Sequence, residues 1–305
     1  MPDRGDLYEL TPAAHEVPHG LPLVAGLTGF ADAGGVVTLL GQYLHDALDT
    51  ETIAVFDNDE LLDYRARRPT ILFDQDHLEE YTPPALTLSL AKDEIGSPFL
   101  LLSGYEPDFR WEGFAEAVLR FIDSYDVTST TWVHAIPMPV PHTRPVKVTV
   151  SGNREELVDA MSAWKPRTQA PANVLHLVEW RLQELGSPVA GFVALVPNYL
   201  SDTEFPGAAI TALESVSAAT GLIFPTDRLR EEGREFIGKV DAQVSENEEL
   251  RRMINTLEER HDAYMEGNPL PSPLVDGAGD VPSADEIAAE LERFLARRSG
   301  DEDQL

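Results

Sequence analysis

Cysteine is missing altogether, lysine occurs at only four of the 305 positions (92, 147, 165 and 239), and no apolar run approaches the length of a membrane span. The first absence excludes disulfides, thiolate nucleophiles, cysteine-built zinc sites and cysteine-ligated iron–sulfur clusters. The second leaves arginine to carry almost all positive charge, and 23 basic side chains stand against 53 acidic ones, a formal charge of −30. Such a chain repels phosphate backbones and anionic lipid, so neither nucleic acid nor a membrane surface is an expected partner. The acidity is spread, −11 over the last 80 residues and −19 over the first 225, which fits a solvating coat better than a dedicated acidic site. Apolar runs such as Phe99–Leu102 fall far short of the roughly 20 residues a spanning helix needs. The start, Met1-Pro2-Asp3-Arg4, lacks the basic-then-apolar pattern of a signal peptide. The expected location is the cytoplasm.

At 43% hydrophobic and 25% charged, the composition is that of a globular protein. The apolar run Leu21–Leu27 predicts a buried strand, Thr28–Gly35 a glycine-rich turn, and Val36–Leu48 a helix with Val36, Val37, Leu40, Tyr43 and Leu44 at helical spacing. Thr52–Phe56 then completes an expected βαβ unit with a parallel sheet and right-handed crossover. Residues 57–84, rich in acid, arginine and proline, predict a short helix and excursion loops. Further strands are expected at Ala85–Leu90, Pro98–Leu102, Thr130–Ile136, Val146–Val150 and 189–196. Helices are expected at about 111–125, 154–161, 174–185 and 207–219. This alternation makes residues 1–225 one α/β domain.

From Thr226 to Tyr264 there is no proline, and the pattern predicts one long helix or two abutting ones with a seam of Ile237, Val240, Val244, Ile254, Leu257, His261 and Tyr264. The polar stretch Ser245–Glu249 interrupts that seam, which argues against a long coiled coil. The segment 226–266 is therefore expected to pack on the domain or on a neighbouring subunit. Residues 267–282, with four prolines and three glycines, read as a linker. Residues 283–305 read as a short amphipathic helix (Ile287, Leu291, Phe294, Leu295) opened by a capping box, followed by an acidic tail.

Four motifs begin at the ends of expected strands. The first, Gly26 to Gly35, spaces Gly29 and Gly34 as a phosphate-binding loop does, but Gly35 stands where the lysine belongs and Val36 where serine or threonine would bind magnesium. A tight turn with Asp32 capping the next helix is the simpler reading. The second is Ser103-Gly104-Tyr105-Glu106-Pro107-Asp108. The third runs from His134 through a proline-rich stretch to His142-Thr143-Arg144-Pro145, and the fourth is Val196-Pro197-Asn198-Tyr199. If those strands are parallel, all four gather at the carboxyl edge of the sheet, where open α/β sheets build clefts. There Glu106 could act as an acid or base, His142 as a proton shuttle and Arg144 as an anion clamp. The competing reading has Arg144 pairing with Glu106 or Asp32 to brace loops. No Gly-x-Ser-x-Gly elbow, His-Glu-x-x-His or EF-hand loop occurs, so no metal and no cofactor are expected. The string Gly41-Gln42-Tyr43-Leu44 resembles the tail of bacterial proteasome activators, but it is internal and its Tyr43 and Leu44 are expected core residues.

Taken in order, Gly29-Phe30-x-Asp32-Ala33-Gly34, Gly104-x-Glu106-Pro107, His142-Thr143-Arg144-Pro145 and Val196-Pro197-x-Tyr199 resemble the PAC2 family, named for proteasome assembly chaperone 2, over roughly residues 20–265. The lysine-poor sequence and long helical extension are most similar to its actinobacterial branch. The resemblance implies a three-layer α/β/α sandwich similar to nucleoside phosphorylases, with a helical C-terminal extension. It also implies homo-oligomers, trimers among them, and a role as an assembly chaperone or protein-interaction factor rather than an enzyme. Some relatives dock on the proteasome through a hydrophobic–Tyr–any C-terminus; here the sequence ends Asp303-Gln304-Leu305, so direct docking by this end is not expected. The alternative is a small-molecule enzyme with phosphorylase- or hydrolase-like chemistry at the carboxyl edge.

Overall fold

The computed structural model describes residues 7–165 and 167–265. Its elements run β1 (Tyr8–Leu10), β2 (Leu23–Thr28), α1 (Val36–Ala47), β3 (Asp49–Phe56), α2 (Asn58–Leu61), β4 (Thr70–Asp74), β5 (His77–Thr82), β6 (Leu86–Lys92), β7 (Pro98–Tyr105), α3 (Trp111–Ser124), β8 (Thr130–Met138), β9 (Lys147–Gly152), α4 (Glu155–Met161), α5 (Val174–Leu185), β10 (Val189–Pro197), α6 (Pro206–Thr220), α7 (Asp227–Glu246) and α8 (Glu248–Met265). Eight strands form one sheet in the order β1-β3-β6-β7-β2-β8-β10-β9, and β4 and β5 pair apart from it.

Strands buried on both faces read as unbroken apolar runs, and all nine residues of β10 are buried. The four such strands, β7, β2, β8 and β10, are mutually parallel at the centre of the sheet. Alternate side chains enter two cores. Leu23, Ala25, Leu27, Leu100, Leu102 and Trp132 pack with α3 and α5 on one face. Val24, Leu101, Val133, Ala135, Phe192 and Val196 pack with α1, α6 and part of α7 on the other. The result is the expected three-layer α/β/α sandwich. Helix α6 is apolar on several sides because it lies between the sheet and α7; Ala208, Ala212, Leu213 and Val216 are buried there with Leu229 and Val240 of α7.

The expected βαβ unit does not form. Strand β3 does not lie beside β2 but runs antiparallel between β1 and β6. Asp49, Glu51 and Val55 are exposed along it, a one-faced pattern that suits a strand near the sheet's edge rather than a central parallel one. Segment 57–84 contains the short helix α2, but also the β4–β5 hairpin, which the composition did not announce. The residues ahead of the first expected strand contribute β1.

The segment after Pro225 forms two helices broken at Asn247, within the polar interruption of the seam. Val240, Ile254 and Leu257 of that seam are buried. The linker at 267–282 and the amphipathic segment at 283–305 lie outside the described residues. No described helix is long and apolar enough to cross a membrane.

Candidate functional site

Because β7, β2, β8 and β10 are parallel, the loops that follow them share one edge of the sheet. After β2 the chain turns through Gly34 at φ 69°, where a Cβ would press within 3.2 Å of Phe205 and Val196. The Asp32 carboxylate then accepts the Val37 N–H at 2.7 Å, the Thr38 N–H at 3.0 Å and the Thr38 hydroxyl at 2.7 Å. Those N–H groups at the start of α1 are the ones a phosphate would need, so this loop is a capped helix entry. Tyr43 and Leu44 of α1 are buried in the core.

The last residue but one of β7 is Gly104, whose φ of +132° and close approach to Ala85 admit no side chain. Glu106 follows and is 7% exposed. Its Oε1 accepts the Val174 N–H of α5 at 2.6 Å. Arg67, which sequence reasoning did not single out, donates to the Glu106 carbonyl at 2.6 Å and to Asp108 at 2.7 Å. Burial pushes the Glu106 carboxyl up, against the pull of the Val174 N–H and Arg67.

Glu106 lines a small hollow with Leu27, Phe30, His134, Asn173, Val174 and Leu175, ≈ 170 Å³ with its open mouth counted and too tightly filled to admit a water. His134, an inward residue of β8, is 3% exposed, and neither of its ring nitrogens has a hydrogen-bond partner. The Phe30 ring lies parallel to it, with centroids 6.1 Å apart and planes 9° apart. Burial, with His176 adding to it and Asp32 opposing it, pulls the His134 pKa down to about 4.

The remaining candidates form a second group. The Tyr199 hydroxyl accepts the His142 backbone N–H at 2.7 Å and lies 2.7 Å from its Nδ1. His142 Nε2 is 3.1 Å from Asp241 of α7. A hydroxyl that donates to Nδ1 leaves the Nε2–H to Asp241, an assignment that satisfies all three groups. Burial pushes Tyr199 up to about 12. Arg144 does not pair with Glu106 or Asp32. It faces α8, giving Nε and Nη2 to Asp262 at 2.8 and 2.6 Å and Nη1 to Glu258 at 3.1 Å; Thr143 also donates to Glu258. A guanidinium held this way is no longer free to clamp an anion. The candidates therefore fall apart: Glu106 lines the hollow with His134 and Gly29 packs on Glu106, Asp32 caps α1, Gly104 lies against Ala85, Gly34 against Val196 near the end of β10, and His142, Arg144 and Tyr199 form a group against α7 and α8.

Beside the second group, Met138, Val140, Trp164, Leu195, His261 and Tyr264 line a mainly apolar cleft of ≈ 650 Å³ including its open mouth. Among the described residues, Asp74, His77 and Glu79 are the one set of three or more such side chains with metal-ligand atoms within 4.8 Å of one another. All three are exposed on the β4–β5 hairpin, and His77 is already bonded to Asp76 and Glu79.

The model of the PAC2 family matches residues 26–244. The chain belongs to the PAC2 family. Among solved structures, a protein of unknown function from Mycobacterium tuberculosis is 38% identical with a TM-score of 0.80, covering 87% of this chain and 94% of its own. One of unknown function from Corynebacterium glutamicum is 33% identical with a TM-score of 0.82, covering 87% and 99%. A proteasome-assembly chaperone homologue from M. tuberculosis has a TM-score of 0.70 at 24% identity, covering 77% and 100%, and shares the fold. No curated protein matches. The PAC2 match takes in both residue groups and β10, and ends inside α7.

Proposed function

We propose that this PAC2 protein is a non-enzymatic, assembly-chaperone-like factor of the cytoplasm that works as a homo-oligomer through protein–protein contacts. The observation that carries the reading is the β4–β5 hairpin. Ile71, Leu72, Phe73, Leu78 and Tyr81 are all exposed, Phe73 at 67%, on two strands that no other described strand joins. A lone hairpin is marginally stable in water, and a group of exposed large apolar side chains marks a surface meant to be covered. Family membership and the fold shared with a proteasome-assembly chaperone homologue support the same direction.

The rival enzyme reading needs Glu106, His142 and Arg144 to act together. No hydrogen bond joins Glu106 to either of the others among the described residues, and Arg144 is spent on Asp262 and Glu258. The test compares full-length wild type with a Phe73→Glu, Leu78→Glu variant by light scattering, and adds each to unassembled proteasome subunits on native gels. The expected result is a wild-type oligomer that falls apart in the variant, with wild type alone changing the assembly yield. A monomeric wild type overturns the oligomer, and an unchanged yield overturns the assembly role.

A further inference from the structure

His134 is a misfit in its place. It sits on an interior strand between Val133 and Ala135, where an apolar residue would satisfy the core, yet it is 3% exposed with both ring nitrogens orphaned. A neutral imidazole carries one donor and one acceptor. Two more polar groups face the same space. Glu106 uses Oε1 on Val174 and Asn173 uses Oδ1 on the His176 N–H, which leaves Glu106 Oε2 as an acceptor and Asn173 Nδ2 as a donor. Leu27 and Leu175 supply apolar walls. Phe30 lines the same hollow, parallel to the imidazole and itself 40% exposed on the glycine-rich turn. A phenyl ring fits there but can bond neither nitrogen.

We propose that this space binds a neutral single-ring heterocycle, a cyclic amide or similar, that presents a hydrogen-bond donor and an acceptor in its plane, and that Phe30 is a place-holder which moves aside for it. The ligand's ring takes over the apolar walls, while its polar edge meets His134, Glu106 and Asn173. The site is separate from the hairpin, so neither oligomeric state nor assembly yield reports on it, and this inference and the proposed function fail separately.

2-Pyridone is the probe, with toluene as the apolar control, titrated by calorimetry into full-length wild type, Phe30→Ala, and Phe30→Ala combined with His134→Leu. The ¹⁵N signals of the histidine side chains are followed in parallel. Removing the place-holder is expected to tighten 2-pyridone binding at least tenfold over wild type and to move the His134 signals. Adding His134→Leu is expected to reverse that gain at least tenfold without weakening toluene. Phe30→Leu, smaller than phenylalanine but still apolar, replaces Phe30→Ala if the latter does not fold. Absence of 2-pyridone binding to the opened variant overturns the site, as does binding that survives His134→Leu or leaves the His134 signals unmoved.

Discussion

Arg144 lays two arms of its guanidinium on Asp262, Nε on one carboxylate oxygen and Nη2 on the other, at 2.8 and 2.6 Å. The pair joins the loop after β8 to α8, 118 residues further along the chain, and the His142–Asp241 contact does the same for α7. The family motif that contains these residues is thus a fastening for the C-terminal helices.

Arg144→Ala is expected to speed amide exchange across α8 while exchange in β2, β8 and β10 stays as in wild type. Arg144→Lys should not restore protection, because an ammonium cannot make the two-armed contact. The fastening also has an acid limit. The Arg144 guanidinium holds Asp262 at about 2, below its ordinary 3.8. A carboxylate whose pKa is lowered on folding stabilises above its unfolded pKa and loses that contribution as pH falls through the folded value. Protection of α8 should therefore decline between about pH 4 and 2 in wild type, and less so in Asp262→Asn. Equal α8 exchange in wild type and Arg144→Ala would remove the fastening role.

His134 should make stability fall with acid in a nearer range. Its pKa is about 4 in the folded chain against an ordinary 6.5, so the unfolded chain takes up a proton first as pH drops. Between pH 6.5 and 4 each unit removes about 1.4 kcal/mol, or about 2 kcal/mol by pH 5. His134→Leu should abolish that dependence and, by relieving two unpartnered buried nitrogens, add about 1–3 kcal/mol at pH 7. Urea unfolding of both forms at pH 7 and pH 5 measures it; parallel losses in the two proteins would contradict the assignment.

What the sequence made legible follows from how local each signal is. Helix α5 was expected at 174–185 and spans Val174–Leu185, because its apolar period is contained within it. Strand β10 was plain because burial on both faces demands an unbroken apolar run. The place of β3 was not legible, since its partners β1 and β6 are set by pairings outside the β2–α1–β3 stretch that suggested a crossover. The β4–β5 hairpin was hidden because Ile71, Leu72 and Phe73 are all exposed, so no alternation marks a buried face. Arg144's partners are 114 and 118 residues away, and spacing carries nothing over that distance. His134 opened the third motif, but spacing along the chain carries nothing about whether a buried imidazole finds partners, and neither of its nitrogens does. Glu179 did leave a trace, as a carboxylate on the stripe formed by Leu175, Val178 and Leu182.

Gly104→Ala tests the end of β7, where the chain enters Glu106. A Cβ there would stand 2.1 Å from the Ala85 carbonyl oxygen and 2.7 Å from Leu86 Cα, at a φ of +132° that side chains rarely adopt. Backbone on both sides of the clash cannot rotate away as a side chain would. The expected loss is about 3 kcal/mol or more, with β6 and β7 losing exchange protection first. A denaturation midpoint within error of wild type would show that the β6–β7 pair has slack the geometry does not suggest.

Glu179 is a buried carboxylate whose bonds all come from side chains, and it pins α5 to the sheet. It is 6% exposed, and it accepts from Trp132 Nε1 at 2.7 Å, Ser151 Oγ at 2.8 Å and Gln183 Nε2 at 2.8 Å. Trp132 belongs to β8, Ser151 to β9 and Gln183 to the next turn of α5, so one side chain satisfies donors from three elements. Burial raises its pKa while those donors oppose the shift. Glu179→Ala leaves three donors facing an apolar gap, and the expected loss is about 3–5 kcal/mol. Glu179→Gln keeps one acceptor oxygen but turns an NH₂ towards donors, so it should fall between wild type and Ala, losing about 1–3 kcal/mol. Guanidinium unfolding gives the order wild type, Gln, Ala. If Gln and Ala were equally destabilised, the remaining amide oxygen would be making no useful bond. If neither differed from wild type, the three contacts would be incidental to how α5 is held.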